Sequence, residues 1–314
     1  MIAVQDVRER YPGTGVPAVD GVTLDVASRE VCVLIGPSGS GKTTLMRMIN
    51  RMVDPDAGRI LVDGRDIAQI DPVELRRGIG YVIQQVGLFP HLTIAENVAT
   101  VPRLLGWPRA RIGRRVDELL SLVHMDPAVY GGRFPRELSG GQKQRVGVAR
   151  ALAADPPLLL MDEPFGALDP LTRAALQDEF LRLLRELSKT IVFVTHDMDE
   201  ALRLGTRIAV MRDGRLLQYD TPTRLLAHPI DVFVETFVGG DRALKRLALL
   251  SAGPHARSLA LPVDARSIAA DATLRDALAL LLEHDARPLA VVDDRGAVLG
   301  GLTLESIRSA LTAD

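Results

Sequence analysis

The chain has 314 residues, enough for two domains of about 100–200 residues each. Hydrophobic residues at 47% and charged residues at 25% are the proportions of a globular protein rather than a disordered one. The net charge of -2 gives no support to a nucleic-acid binder, whose footprint is a basic stripe, and no uncharged apolar run approaches the roughly 18 residues needed to span a bilayer.

The opening residues lack the apolar segment of a secretory signal. "IAVQDV" (2–7) and "VTLDVA" (22–27) alternate apolar and polar residues, which predicts half-exposed antiparallel strands. Next, "VCVLIGPSGSGKTTLMRMINRMV" (31–53) reads as a buried strand, a glycine-rich turn and a helix stopped by Asp54-Pro55. Cys32, the single cysteine, lies inside that apolar run; it can form no intrachain disulfide and predicts a small core residue in a reducing compartment.

Continuous apolar runs recur at 79–83, 158–162, 191–195 and 207–211. Separated by helical segments, they predict an α/β fold with a parallel sheet covered on both faces. From 86 to 136 the strand signals vanish, and Ile112, Val116, Leu119, Leu120 and Val123 share one helical face, so this is a mostly helical insert. "LTRAALQDEFLRLLRELSK" (171–189) is a further amphipathic helix. The pattern breaks near Gly239-Gly240, which places a linker at 241–257. A small α+β unit is expected at 258–314, with Leu274, Ala277, Leu278, Leu281 and Leu282 on one helical face and two strands around an Asp-Arg-Gly turn.

Of 38 basic residues four are lysines, so a lysine in this chain marks a need that arginine does not meet. Lys42 stands in "GPSGSGKT" (36–43), which fits the phosphate-loop pattern G-x-x-x-x-G-K-[ST] between a strand and a helix. In such a loop the glycines Gly36, Gly39 and Gly41 let main-chain N–H groups converge on phosphate oxygens of ATP at the helix N-terminus, and Pro37, Ser38 and Ser40 complete the ATP-binding loop. Lys42 supplies a point charge to the β- and γ-phosphates, the Thr43 hydroxyl reaches Mg²⁺, and Thr44 is the next ATP-binding residue.

"LLLMDEP" (158–164) sets two carboxylates at the carboxyl end of a buried strand, where open α/β sheets bind ligands. Asp162 suits the magnesium shell and Glu163 the general base that accepts a proton from the attacking water. His196, after the strand "IVFVT", falls on the same edge and suits contact with the γ-phosphate.

"ELSGGQKQR" (137–145) starts a helix with two glycines, each costing about 1 kcal/mol against alanine. A capping box of Ser139 and Gln142 explains the serine and glutamine, and leaves Gly140 and Gly141 unexplained.

The phosphate loop, "LSGGQ", "LLLMDEP", "GALD" and the strand-end histidine occur in the order of the ABC-type ATPases, which the chain resembles over residues 1–240. The resemblance implies a P-loop ABC-ATPase fold: a mostly parallel core, an N-terminal antiparallel β subdomain and a helical subdomain at about 86–136. It implies that Tyr11 stacks on adenine, and that Gln84 senses Mg²⁺ and γ-phosphate while contacting a membrane subunit. Asp169 would communicate across the dimer, although Gly166 stands where the family more often has serine. Ser139, Gly140, Gly141 and Gln142 would close the ATP site of the opposite subunit in a head-to-tail homodimer, with the glycines permitting close approach.

The long phrases "LRRGIGYVIQQVGLFPHLTIAENV" and "FPRELSGGQKQRVGVARALAADPPLLLMDEPFGALDPLTR" are similar to the ATP-binding subunits of glycine betaine/proline/choline importers. That implies integral membrane permease subunits as partners, a substrate-binding protein indirectly, and a cytoplasmic, peripheral position on the inner face of the cell membrane. A non-transport ABC ATPase of the DNA-repair kind would need a coiled coil between the loop and the carboxylates, and no sustained heptads occur from 52 to 157. The tail is similar to one CBS repeat; Ser306 stands where nucleotide-binding repeats carry aspartate, which counts against nucleotide binding.

Overall fold

The computed structural model describes residues 1–13, 15–83, 87–166, 177, 180 and 188–312. The alternation in β1 (Ile2–Glu9) and β2 (Val19–Val26) puts Ile2, Val4, Val7, Val19, Val22 and Val26 on one buried face. These strands pair antiparallel, and β1 pairs antiparallel with β4 (Ala57–Val62), itself flanked by β5 (Arg65–Asp66), in the order β2-β1-β4-β5.

The apolar runs form a second sheet. It contains β3 (Val31–Ile35), β6 (Ile79–Val82), β7 (Leu158–Asp162), β8 (Thr190–Val194), β9 (Arg207–Arg212) and β10 (Arg215–Asp220), ordered β10-β9-β3-β8-β7-β6. From β9 through β6 every neighbouring pair is parallel. β7 and β8 are buried at every residue because both faces are covered. On one face the helix Lys42–Ile49 and the antiparallel sheet enclose a core of Leu34, Leu45, Met46, Met48, Leu160, Val192 and Met211. Toward the other lie the helices Gly140–Leu152, packed on β6, and Met198–Leu204, packed on β3. Cys32 is fully buried, and desolvation raises its thiol to about 12, so it stays a protonated core residue.

This order has a direct consequence for the site: β3, β8 and β7 are adjacent and parallel, so their carboxyl ends deliver residues 36–41, 195–197 and 162–163 to one edge. The helical insert follows β6 and contains the helices Ile94–Val98, Thr100–Leu104, Arg109–Leu122 and Pro127–Tyr130, with Ile112, Val116, Leu119 and Leu120 buried as their spacing predicts. Of the helix expected at 171–189, the described residues are Gln177 and Phe180, both helical, and Ser188 and Lys189, which are not helical. No helix among the described residues is long and apolar enough to cross a membrane.

A second compact unit begins at Asp220, earlier than the boundary at 240 that the glycine pair suggested. Gly239, at φ +96°, turns the chain from the helix Val232–Val238 toward the helix Arg242–Leu247. Leu247 and Ala252 then sit in the core of this unit, so 241–257 is folded chain rather than a linker. β12 (Leu289–Val292) pairs parallel with β11 (Ser267–Ala269) and antiparallel with β13 (Val298–Leu302). The helices Leu274–Glu283 and Leu304–Thr312 share the core with this sheet. Leu274, Ala277 and Leu281 form the core stripe, whereas Leu282, expected beside them, is 67% exposed. In the turn between β12 and β13, Asp293 accepts hydrogen bonds from the N–H groups of Arg295 and Ala297.

Candidate nucleotide site

The glycine-rich loop leaves β3 under tight steric terms. A Cβ on Gly36 would lie 2.0 Å from the carbonyl oxygen of Met211, and one on Gly41, at φ +98°, 2.3 Å from that of Ala18. Gly39, at φ +79°, would meet no protein atom within 4 Å. Neighbouring main chain therefore requires glycine at 36 and 41, while at 39 only the left-handed backbone does, beside open space. Pro37, Ser38 and Gly39 are exposed at the loop tip, and Ser40 is buried with its carbonyl accepting from Gly214 N–H.

Lys42 folds back into this loop: its ammonium donates to the carbonyls of Gly36 (2.8 Å) and Pro37 (2.9 Å) and to Ser40 Oγ (3.2 Å). Burial pushes its pKa down, opposed by the negative charges of Glu163 and Asp162. Thr43 Oγ1 donates to Asp162 Oδ1 at 3.1 Å, joining the helix start to the end of β7. Burial raises the pKa of Asp162 and Glu163 adds to the rise, while the Thr43 hydrogen bond works against it. Tyr11 stands over the same helix, its hydroxyl 3.4 Å from Thr44 Oγ1.

Glu163 has φ +42°, a left-handed conformation uncommon for a side chain of this size, and its N–H donates to Val194 O at 3.0 Å. This turns its carboxylate toward the next strand end, where Oε2 lies 3.2 Å from His196 Nδ1. The two carboxylates expected at the strand end thus separate: Asp162 faces Thr43, and Glu163 faces His196.

Ser139 caps the helix Gly140–Leu152. Its Oγ accepts from Gln142 N–H at 3.3 Å, and Gln142 Oε1 accepts from Ser139 N–H at 3.0 Å, the reciprocal pair expected from the sequence. Gln142 also donates to the Tyr130 hydroxyl. Ser139 and Gly140 are exposed, and no hydrogen bond among the described residues joins this helix start to the phosphate loop. Gln84 and Asp169 lie outside the described residues.

Two polar groups escaped the sequence reading. Asn97, fully buried, donates to the carbonyls of Phe89, Leu92 and Thr93 and accepts from Phe89 N–H, fixing the loop that enters the helical insert. Its signal was an amide at an otherwise apolar position between Ile94 and Val98. Glu200, 5% exposed, accepts from Thr195 Oγ1 and from Gln177 Nε2 behind His196. Its signal was a carboxylate four residues after the histidine, on the face that carries Ala201 and Leu204 into the core.

A phosphate-binding loop at a parallel strand end, a threonine–aspartate pair beside it and a glutamate–histidine pair across two neighbouring strand ends define a P-loop nucleoside triphosphatase site. The ABC transporter family profile matches residues 19–166. The osmoprotectant import ATP-binding protein OsmV of Salmonella typhimurium is 49% identical over 99% of this chain and 81% of its own length. The glycine betaine/carnitine/choline transport ATP-binding protein OpuCA of Bacillus subtilis is 50% identical over 98% of this chain and 79% of its own length. Among solved structures, the dimeric post-hydrolysis state of the ATP-binding cassette MJ0796 bound to ADP and Pi superposes with a TM-score of 0.63 at 34% identity, covering 71% of this chain and 99% of that one. The chain belongs to the ATP-binding proteins of the ABC transporter family.

Proposed function

We propose that this chain is the ATP-hydrolysing subunit of an importer for small quaternary-amine osmoprotectants of the glycine betaine, choline and carnitine kind. The observation that carries it is identity near 50% with such subunits across almost the whole chain, second unit included. The site residues then take the following roles. The N–H groups of the loop and Lys42 hold the phosphates of ATP, with Lys42 exchanging its carbonyl partners for phosphate oxygens. Tyr11, beside Thr44, offers its ring to the adenine. Thr43 and Asp162 would hold Mg²⁺: a hydroxyl and a buried carboxylate whose charge burial disfavours form an oxygen donor set suited to a hard cation. Such an ion neutralises charge on the phosphates. Glu163 takes the proton of the attacking water, and His196, within hydrogen-bond reach of Glu163, orients it.

Because Ser139 and Gly140 are exposed and bonded away from the loop, the second wall of the ATP site comes from another copy in a head-to-tail homodimer; the MJ0796 cassette is likewise dimeric. A permease subunit docks on a groove of about 380 Å³ lined by Ile79, Tyr81, Ile83, Phe89 and Val101. Within the second unit, residues 258–314 are a CBS-like regulatory or dimerising module. At Ser306 the side chain is within 3.2 Å of the Thr303 hydroxyl that caps the last helix.

Steady-state ATPase assay of wild type against Glu163→Gln tests the reading. The variant is expected to bind Mg-ATP, lose turnover and accumulate as a closed dimer; equal rates would refute Glu163 as the base.

A further inference from the structure

The His196 imidazole is 59% exposed and touches Glu163 at 3.2 Å, so its placement depends on the main chain that carries it. That main chain is anchored from behind by buried polar groups. Thr195, 2% exposed, uses its hydroxyl twice: it donates to Glu200 Oε2 at 2.5 Å and accepts from Asp197 N–H at 3.0 Å, bracketing residue 196. Its own N–H donates to Leu34 O on β3, the strand that leads into the phosphate loop. Glu200 Oε1 accepts from Gln177 Nε2 at 2.7 Å, and Gln177 Oε1 accepts from Arg203 Nη1 at 3.3 Å. Asp197 caps the helix Met198–Leu204 by accepting from the N–H groups of Asp199 and Glu200, which fixes the direction in which the chain leaves the histidine.

An apolar threonine isostere would fill the same volume and keep the helix against the sheet. Burying a carboxylate, a carboxamide and a hydroxyl instead is costly unless each is bonded, and the return is a directional constraint that apolar packing lacks. The direction constrained here is that of residues 195–197, and the residue at their centre is the one beside the general base. Gln177 stands in the segment that follows the Glu163 turn, so the same bonds tie Gln177 to the strand end of β8.

We propose that Thr195, Glu200 and Gln177 are positioning residues, a buried hydrogen-bond network that sets the separation of His196 from Glu163 and thereby the rate of hydrolysis, without contacting nucleotide. The proposal rests on the ATPase reading given above for its kinetic consequence only. Misplacing a reacting group by about 1 Å costs up to about a hundredfold in rate.

The test uses the full chain with Thr195→Val, which keeps shape and removes both hydrogen bonds, and Thr195→Ser, which keeps both. Expected for Thr195→Val is a fall in kcat of about tenfold or more with KM for Mg-ATP changed less than about twofold, restored by Thr195→Ser. Gln177→Leu, which leaves residue 195 intact, is expected to lower kcat in the same direction and serves if Thr195→Val does not fold. In parallel, imidazole proton–nitrogen spectra resolve His196 among the six histidines without any nucleotide. Thr195→Val, or Gln177→Leu in its place, should move the His196 resonances and leave the other five in place. Unmoved His196 resonances, or wild-type kcat in the variant, would overturn the network. A wild-type chain with no turnover but the expected His196 shift would instead overturn the ATPase reading and leave the network standing.

Discussion

An alanine at position 36 would put its Cβ 2.0 Å from the carbonyl oxygen of Met211, a main-chain atom of the neighbouring strand that has nowhere to retreat. At Gly39 the same change meets no atom within 4 Å and incurs only the left-handed backbone penalty at φ +79°. Gly36→Ala is therefore expected to destabilise the chain by about 3 kcal/mol or more, and Gly39→Ala by about 1–2 kcal/mol. Urea unfolding checks the order, and equal losses would sink the distinction. At this scale the sequence showed which residue types converge on phosphate. It could not show that two glycines answer to Met211 and Ala18, because the first contact comes from a strand far along the chain and the second from the bend just before β2. Nor could it part Asp162 from Glu163, since adjacent carboxylates read as a pair until the φ of +42° at Glu163 turns one away.

Helix starts carry the next level of argument. Thr93 and Glu96 form a capping box in which Glu96 Oε2 accepts from the Thr93 N–H and hydroxyl, and those bonds hold the Glu96 pKa below its ordinary value. A depressed folded-state pKa means the box contributes stability above the unfolded glutamate pKa and loses it as pH falls through the folded value. Wild type should thus lose its stability difference from Glu96→Ala on acidification through that window and keep it at neutral pH. A pH-independent difference in urea midpoints would contradict the assignment. The strands β3, β6, β7, β8 and β9 were legible within a residue or so because coverage on both faces leaves uninterrupted apolar runs, whereas β4 and β10, mostly half-buried or exposed, carried no such run and went unread. The Ser139–Gln142 box was legible from spacing. The helix Arg242–Leu247 was not, because Gly239-Gly240 punctuates a helix-to-helix turn as readily as a domain end, and only the burial of Leu247 and Ala252 separates the two.

For the whole molecule, head-to-tail assembly makes a complementation prediction. If Lys42 serves the site in its own chain and Ser139 the site in the partner, a mixed dimer of Lys42→Ala and Ser139→Ala chains has one site with both lesions and one with neither. Nucleotide-closed dimers, read by size-exclusion in Mg-ATP, should appear in the mixture above the level of either variant alone, and a mixture no better than its components would argue against sites formed in trans. The sequence by itself determined the chemistry of this protein. Phosphate loop, carboxylates, serine-capped glycines and their order are short-range patterns, and the parallel sheet follows from apolar runs that local sequence contains in full. Tertiary structure alone decided what those residues face. The adjacency of β3, β8 and β7 brings Lys42, His196 and Glu163 to one edge, the bonds from Thr195 and Gln177 to Glu200 brace it, and the second unit starts at Asp220. Such contacts join residues far apart in the chain, and their partners are selected by packing in three dimensions, which no local pattern encodes.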